Sequence, residues 1–87
     1  MKNVLVIGST GQIGSELTMK LRNMIPDGNI VAGYIPGAEP KGILLESGPA
    51  EEANVKNAQQ LADIVEKYKI EEALVIAVAP LRAYLQA

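Results

Sequence analysis

The chain has 87 residues, 10 acidic and 8 basic side chains mixed along it, and a formal net charge of −2. That length supports one domain, and the charge pattern offers no basic run for nucleic acid or an anionic membrane. Cysteine and histidine are both absent, which excludes disulfides, thiol nucleophiles, the usual zinc sites and the commonest neutral-pH general base. No metal is expected.

Apolar stretches are strand-length, short of the roughly 20 residues that cross a bilayer. Strand-like residues follow Met1 directly, without a signal-peptide pattern. A soluble protein of the reducing cytoplasm is therefore expected. Phe and Trp are also missing, leaving three tyrosines as the aromatics. Such a simplified composition fits a trimmed or engineered sequence as well as a natural one, and both origins stay open.

Asn3 to Ile7 is a continuous apolar run, the pattern of a central strand buried on both faces. Gly8, Gly11 and Gly14 follow at i, i+3 and i+6. Gly8 permits a tight turn, Gly11 lets a pyrophosphate approach bare backbone, and Gly14 lets the next helix lie close on the sheet. The free N–H groups at that helix start favour an anionic phosphate. The helix runs from Gln12 to about Met24 with Ile13, Leu17, Leu21 and Met24 as its apolar stripe and Glu16–Lys20 as an i,i+4 pair. Pro26-Asp27-Gly28-Asn29 ends it.

Ile30 to Ile35 reads as a second strand closed by Pro36. Residues 36–49 hold three prolines and three glycines around Ile43-Leu44-Leu45-Glu46, so they form a long connection with one helical turn or a strand fragment. Ala50 to Val55 is a short third strand whose paired glutamates suit an exposed edge. Asn57 with Gln60 reads as a capping box, and Leu61, Ile64, Val65 and Tyr68 as the stripe of a helix ending near Lys69, with Asp63–Lys67 as a charge pair. Ala73 to Ala79 is a fourth, doubly buried strand stopped by Pro80. Residues 80–87 form a divergent tail that could begin another helix.

Strands alternating with helices imply right-handed crossovers and a parallel sheet in the order 3-2-1-4. The fold class is α/β, half of a doubly wound dinucleotide-binding (Rossmann-like) fold over residues 1–79. Ligand is expected where Gly8 to Gly14 faces the carboxyl end of the fourth strand.

With these residues placed, the chain resembles the N-terminal part of the extended short-chain dehydrogenase/reductases, closest to their L-threonine 3-dehydrogenase branch. Gly8-Ser-Thr-Gly11-Gln-Ile-Gly14-Ser-Glu-Leu-Thr and Glu46-Ser-Gly-Pro49 carry the resemblance, which runs from about residue 2 to Ala77. It implies that the turn, Thr10 included, binds the NAD pyrophosphate, with Gln12 and Ile13 supplying backbone N–H groups. The position that usually grips the adenosine ribose with an acid holds Tyr34. Asn54-Val55 replaces the Asp-aliphatic pair placed near the adenine, Asn54 having a second reading as the residue that turns the chain before the next helix. Ala77 matches an alanine that makes room for the cofactor, and Val78 replaces a second one.

The family's catalytic Ser or Thr and its Tyr-x-x-x-Lys pair lie past Ala87, and none of Tyr34, Tyr68 and Tyr84 has a lysine four residues on. Glu51-Glu52 and Glu71-Glu72 read as solvated charge. Two functions follow. One is a non-catalytic module that binds NAD weakly through its ADP portion. The other is a ligand-free structural or engineered scaffold that self-associates as a homodimer through the fourth strand's edge or its helices.

Overall fold

A computed structural model describes residues 2–75. They form β1 (Asn3–Ile7), α1 (Gln12–Met24), β2 (Asn29–Tyr34), α2 (Ile43–Glu46), β3 (Ala50–Glu52), α3 (Ala58–Tyr68) and β4 (Glu72–Val75). The sheet order is β3-β2-β1-β4 and every pairing is parallel, which is the expected Rossmann-like α/β arrangement. The register sets Val4 beside Ile30 and Glu72, and Ala32 beside Ala50.

Alternation along β1 builds two cores from one apolar run, because successive side chains of a strand point to opposite faces. Val4 and Val6 join Ile30 against Leu17, Leu21 and Ile25 of the α1 layer. Leu5 and Ile7 join Val31, Ala53 and Ile64 against Leu61 and Tyr68 of α3. Burying such a side chain fully is worth about 1.5–3 kcal/mol, and β1 is buried on both sides.

The boundaries of α1 match the sequence reading, and so do Leu17 and Leu21 of its apolar stripe, but the two ends of the stripe do not. Ile13 and Met24 are 68% and 66% exposed, overhanging the sheet at the two helix ends. The face that touches the sheet runs through Gly14, Leu17, Thr18 and Leu21. Thr18 lies there because its hydroxyl donates back to the Gly14 carbonyl at 2.7 Å, which satisfies a buried polar group locally. The Glu16–Lys20 and Asp63–Lys67 pairs do not form. Lys67 instead reaches Glu51 at 2.9 Å, and Asp63 accepts from the Gln59 side chain.

β3 covers Ala50–Glu52 rather than extending to Val55, and α2 is the single helical turn allowed for in the 36–49 connection. Asn57 caps α3 by accepting the Gln60 N–H at 3.1 Å. Only half of the expected box closes, since the Gln60 side chain turns to the Asn54 N–H at 2.7 Å instead. The later part of the fourth strand from residue 76, Ala77, Val78, Pro80 and the tail of residues 80–87 lie outside the described residues.

The paired glutamates are largely solvated, as expected, Glu52, Glu71 and Glu72 being exposed and Glu51 half-buried, and three of them also fasten elements together. The Tyr68 hydroxyl donates to Glu51 at 2.6 Å, Gln60 donates to Glu52, and Glu71 accepts the Lys2 and Asn3 N–H groups. Hydrogen bonds from Tyr68, then Lys67, hold the Glu51 carboxyl below its ordinary value of 4.5. Glu51 therefore adds stability above that value, and the contribution is lost as pH falls through its lowered folded pKa. We expect Tyr68→Phe to cost about 1 kcal/mol at neutral pH and less once acid protonates Glu51. Urea unfolding at neutral and acid pH checks this, and a pH-independent cost would assign Tyr68 to packing alone.

Candidate functional site

The site lies where the chain leaves β1. Gly8 has φ +85°, a left-handed value that a side chain disfavours. The turn is tied to the neighbouring strand by one acceptor: the Gly33 carbonyl takes the Gly8 N–H and the Ser9 N–H, each at 3.1 Å, and the Ser9 hydroxyl at 2.9 Å. Ser9 is fully buried, so this bond is sheltered from water. It sets the glycine turn against the end of β2, next to Tyr34.

The Gly11 N–H closes the turn on Gly8 O at 3.3 Å, and α1 then begins with the Ser15 N–H on Gly11 O at 2.8 Å. Gly11 is the N-cap and supplies no side-chain cap, and the first helical turn contains no acid. The N–H groups of Gln12, Ile13 and Gly14 find no acceptor among the described residues. A helix start in that condition presents donors and the positive end of its dipole to an anion. Gly14 allows the close approach: a Cβ there would lie 2.1 Å from Gly8 O.

Of the residues named from the sequence, Gly8, Thr10, Gly11, Gln12, Ile13 and Gly14 form this one turn, and Tyr34 stands beside it through Gly33. Tyr34 is half-buried and by strand alternation shares the face of Ile30 and Ala32, toward the α1 layer. Asn54 and Val55 follow β3, one strand further out. Asn54 turns the chain into α3, its side-chain oxygen accepting the Lys56 N–H at 2.9 Å and its carbonyl the Asn57 N–H. Val55 is exposed.

Three contributors carry no signature of their own in the sequence. Ser9 is one, hidden inside a motif read for its glycines. Arg22 is another: it follows Gly14 and Thr18 at helical spacing and so belongs to the inner face, where it donates to the carbonyls of Ile30, Leu44 and Pro49. The third is the segment after β2. It closes a groove of about 510 Å³ against α1, whose walls include Thr10, Ser15, Met19, Glu39, Lys41 and Leu44. A smaller cavity of about 220 Å³ between β3 and α3 is lined by Glu51, Glu52 and Lys67, already engaged with one another and with Gln60 and Tyr68. No group of His, Cys, Asp and Glu able to hold a metal occurs among the described residues.

A parallel sheet with a glycine turn at the carboxyl end of its first strand defines the Rossmann-like α/β class of architecture. The particular likenesses are to dehydrogenases and epimerases. The chain is 35% identical over 69 residues to an uncharacterized epimerase/dehydratase of Staphylococcus saprophyticus, a match covering 79% of this chain and 21% of that protein. Among solved structures it is similar to the L-threonine dehydrogenase of Clostridium difficile, with 35% identity and a TM-score of 0.75 over 88% of this chain and 24% of that one. It is also similar to the GalE-like L-threonine dehydrogenase of Cupriavidus necator in its holo form, at 26% identity and a TM-score of 0.77 over 100% of this chain and 27% of that one. The chain thus spans about a fifth of the length of the curated relatives it matches. No protein-family model matches it.

Proposed function

We propose that this chain is a nucleotide-binding module that holds the ADP portion of NAD on the Gly8–Gly14 turn and performs no turnover itself. The observation that carries the reading is the group of N–H donors at Gln12, Ile13 and Gly14, placed by a glycine whose helix lies against the turn's own backbone. Tyr34, with Asn54 and Val55 at the next strand end, would flank the adenosine side. Support comes from the likeness to threonine dehydrogenases and to an epimerase/dehydratase.

The phosphates would be held by backbone N–H groups, with no side-chain charge among them, so micromolar to millimolar affinity is expected. Calorimetric titration with ADP and NAD, together with amide shifts at Gly8–Gly14, tests this. Absence of heat and of shifts at millimolar nucleotide would favour the ligand-free scaffold, which light scattering would then be expected to show as a homodimer. A coupled assay for NADH formation from L-threonine should give no rate.

A further inference from the structure

We propose that Glu39 supplies the ribose-recognising carboxylate of this site, and that the groove between α1 and residues 39–44 takes the ribose of an adenine nucleotide whose 2′- and 3′-hydroxyls are both free. The inference rests on the nucleotide reading above. It begins from a misfit at the end of β2, where an acid that usually bonds the ribose hydroxyls is replaced by Tyr34, and the strand stops there.

The next acid in the chain is Glu39, and the backbone brings it back toward the helix. Pro36 and Gly37 occupy the centre of a turn closed by the Ala38 N–H on Ile35 O at 3.0 Å. That reversal makes residues 39–44 one wall of the groove, with Thr10 and Ser15 on the other. Thr10 belongs to the phosphate turn itself and Ser15 to the first turns of α1, so the groove opens directly off the place where phosphates would sit. In a nucleotide the ribose is the next group along from the phosphate.

Glu39 is exposed on the rim of the groove. Its Oε2 accepts the Gly37 N–H at 3.0 Å, and this bond keeps the carboxyl below its ordinary range, so it is ionised at neutral pH. A carboxylate offers about four lone-pair positions, which leaves capacity for two vicinal hydroxyls. The space, about 510 Å³, lies within the range of small-molecule sites.

Charge decides which nucleotide fits. Three ionisable side chains line the groove, Glu16, Glu39 and Lys41, and two of them are acids. A ribose carrying a 2′-phosphate would bring about two further negative charges into that surrounding and meet repulsion. The groove therefore selects NAD over NADP, although the strand-end acid is missing.

The test uses the whole chain and a conservative change. Glu39→Gln keeps the length of the side chain and an oxygen to accept the Gly37 N–H, while removing the charge. Wild type should bind ADP about tenfold more tightly than 2′,3′-dideoxy-ADP, in line with hydrogen bonds to a charged group. Glu39→Gln should bring that ratio within about twofold, leave the dideoxy compound's affinity unchanged, and narrow the preference for NAD over NADP. An unchanged ratio in the variant, with amide shifts at Gly8–Gly14 still produced by ADP, would overturn the role of Glu39 and leave the phosphate turn standing. Absence of those shifts in the wild type would overturn the nucleotide reading and this inference with it.

Discussion

Gly14→Ala is expected to lower stability by about 1–2 kcal/mol and to weaken ADP binding at least tenfold, although alanine is the better helix former. An added Cβ would meet Gly8 O at 2.1 Å, Gly8 C at 2.9 Å and Ser9 Cα at 3.0 Å. All three are backbone atoms, so no side chain can swing aside, and relief requires moving the helix or the turn by about an ångström. Overpacking of this kind costs about 1–3 kcal/mol and sometimes more. Alanine regains about 1 kcal/mol of helix propensity over glycine, which offsets part of the loss.

Displacing the helix also breaks a chain of fixed contacts. Gly14 O holds the Thr18 hydroxyl, and Gly8 and Ser9 hold Gly33 O. The affinity loss should therefore exceed what the stability loss predicts, because the displaced atoms are those that aim the N–H donors. Urea unfolding measures the first effect and ADP titration of the folded variant the second. A variant that matched wild type in both would show that helix and turn are free to separate, and the phosphate cradle would lose its physical basis.

How much of this was legible in the sequence depended on whether one local rule governed a residue. β1 was readable because burial on both faces leaves no polar position in Val4 to Ile7, and the sheet order followed from the alternation of strands and helices. The length of α1 was readable from its period and from Pro26. Its inner face was readable only at Leu17 and Leu21, because close packing also selects Gly14 and Thr18 there, residues that a hydrophobic stripe omits, while Ile13 and Met24 extend the stripe past the edge of the sheet.

Partners separated widely in sequence were the hardest to read. Glu51 meets Tyr68 and Lys67 across 17 and 16 residues, and helical spacing had assigned Lys67 to Asp63. In the candidate site the three glycines announced the turn, whereas Glu39 had no motif of its own. Its position follows from a proline-glycine turn whose direction only the folded chain fixes. Asn54 had two readings, and its hydrogen bonds to Lys56 and Asn57 place it in the turn that starts α3.

Arg22 carries the second large effect, and its replacement by methionine is expected to cost about 2–4 kcal/mol. β3 starts only at Ala50, which pairs with Ala32, so the carbonyl of Ile30 has no ladder partner on that side. The guanidinium takes the place of the missing strand. Its Nε and Nη2 donate to Ile30 O at 3.2 and 3.0 Å, Nη2 to Pro49 O at 2.8 Å, and Nη1 to Leu44 O at 2.6 Å and Ser47 Oγ at 3.0 Å. No carboxylate is among these partners, and Pro49 O keeps the Ala32 N–H, so what removal leaves without a donor is the Ile30 and Leu44 carbonyls, each worth about 1–3 kcal/mol where water cannot replace the bond.

Methionine preserves much of the buried stem and isolates the loss of the fork. Lysine restores a charge but not the planar array of donors, and should recover less than half of the loss. Burial pushes the Arg22 guanidinium below its ordinary value, yet arginine stays protonated throughout the range in which carboxylates titrate. The cost of Arg22→Met should thus be the same at neutral pH and in mild acid, unlike that of Tyr68→Phe. Because Leu44 lines the groove and Arg22 holds its carbonyl, amide exchange should accelerate through 43–50, and ADP affinity should fall without any change at the glycine turn. A methionine variant within about 1 kcal/mol of wild type would mean that water replaces the guanidinium freely, and that α2 is held by its apolar contacts alone.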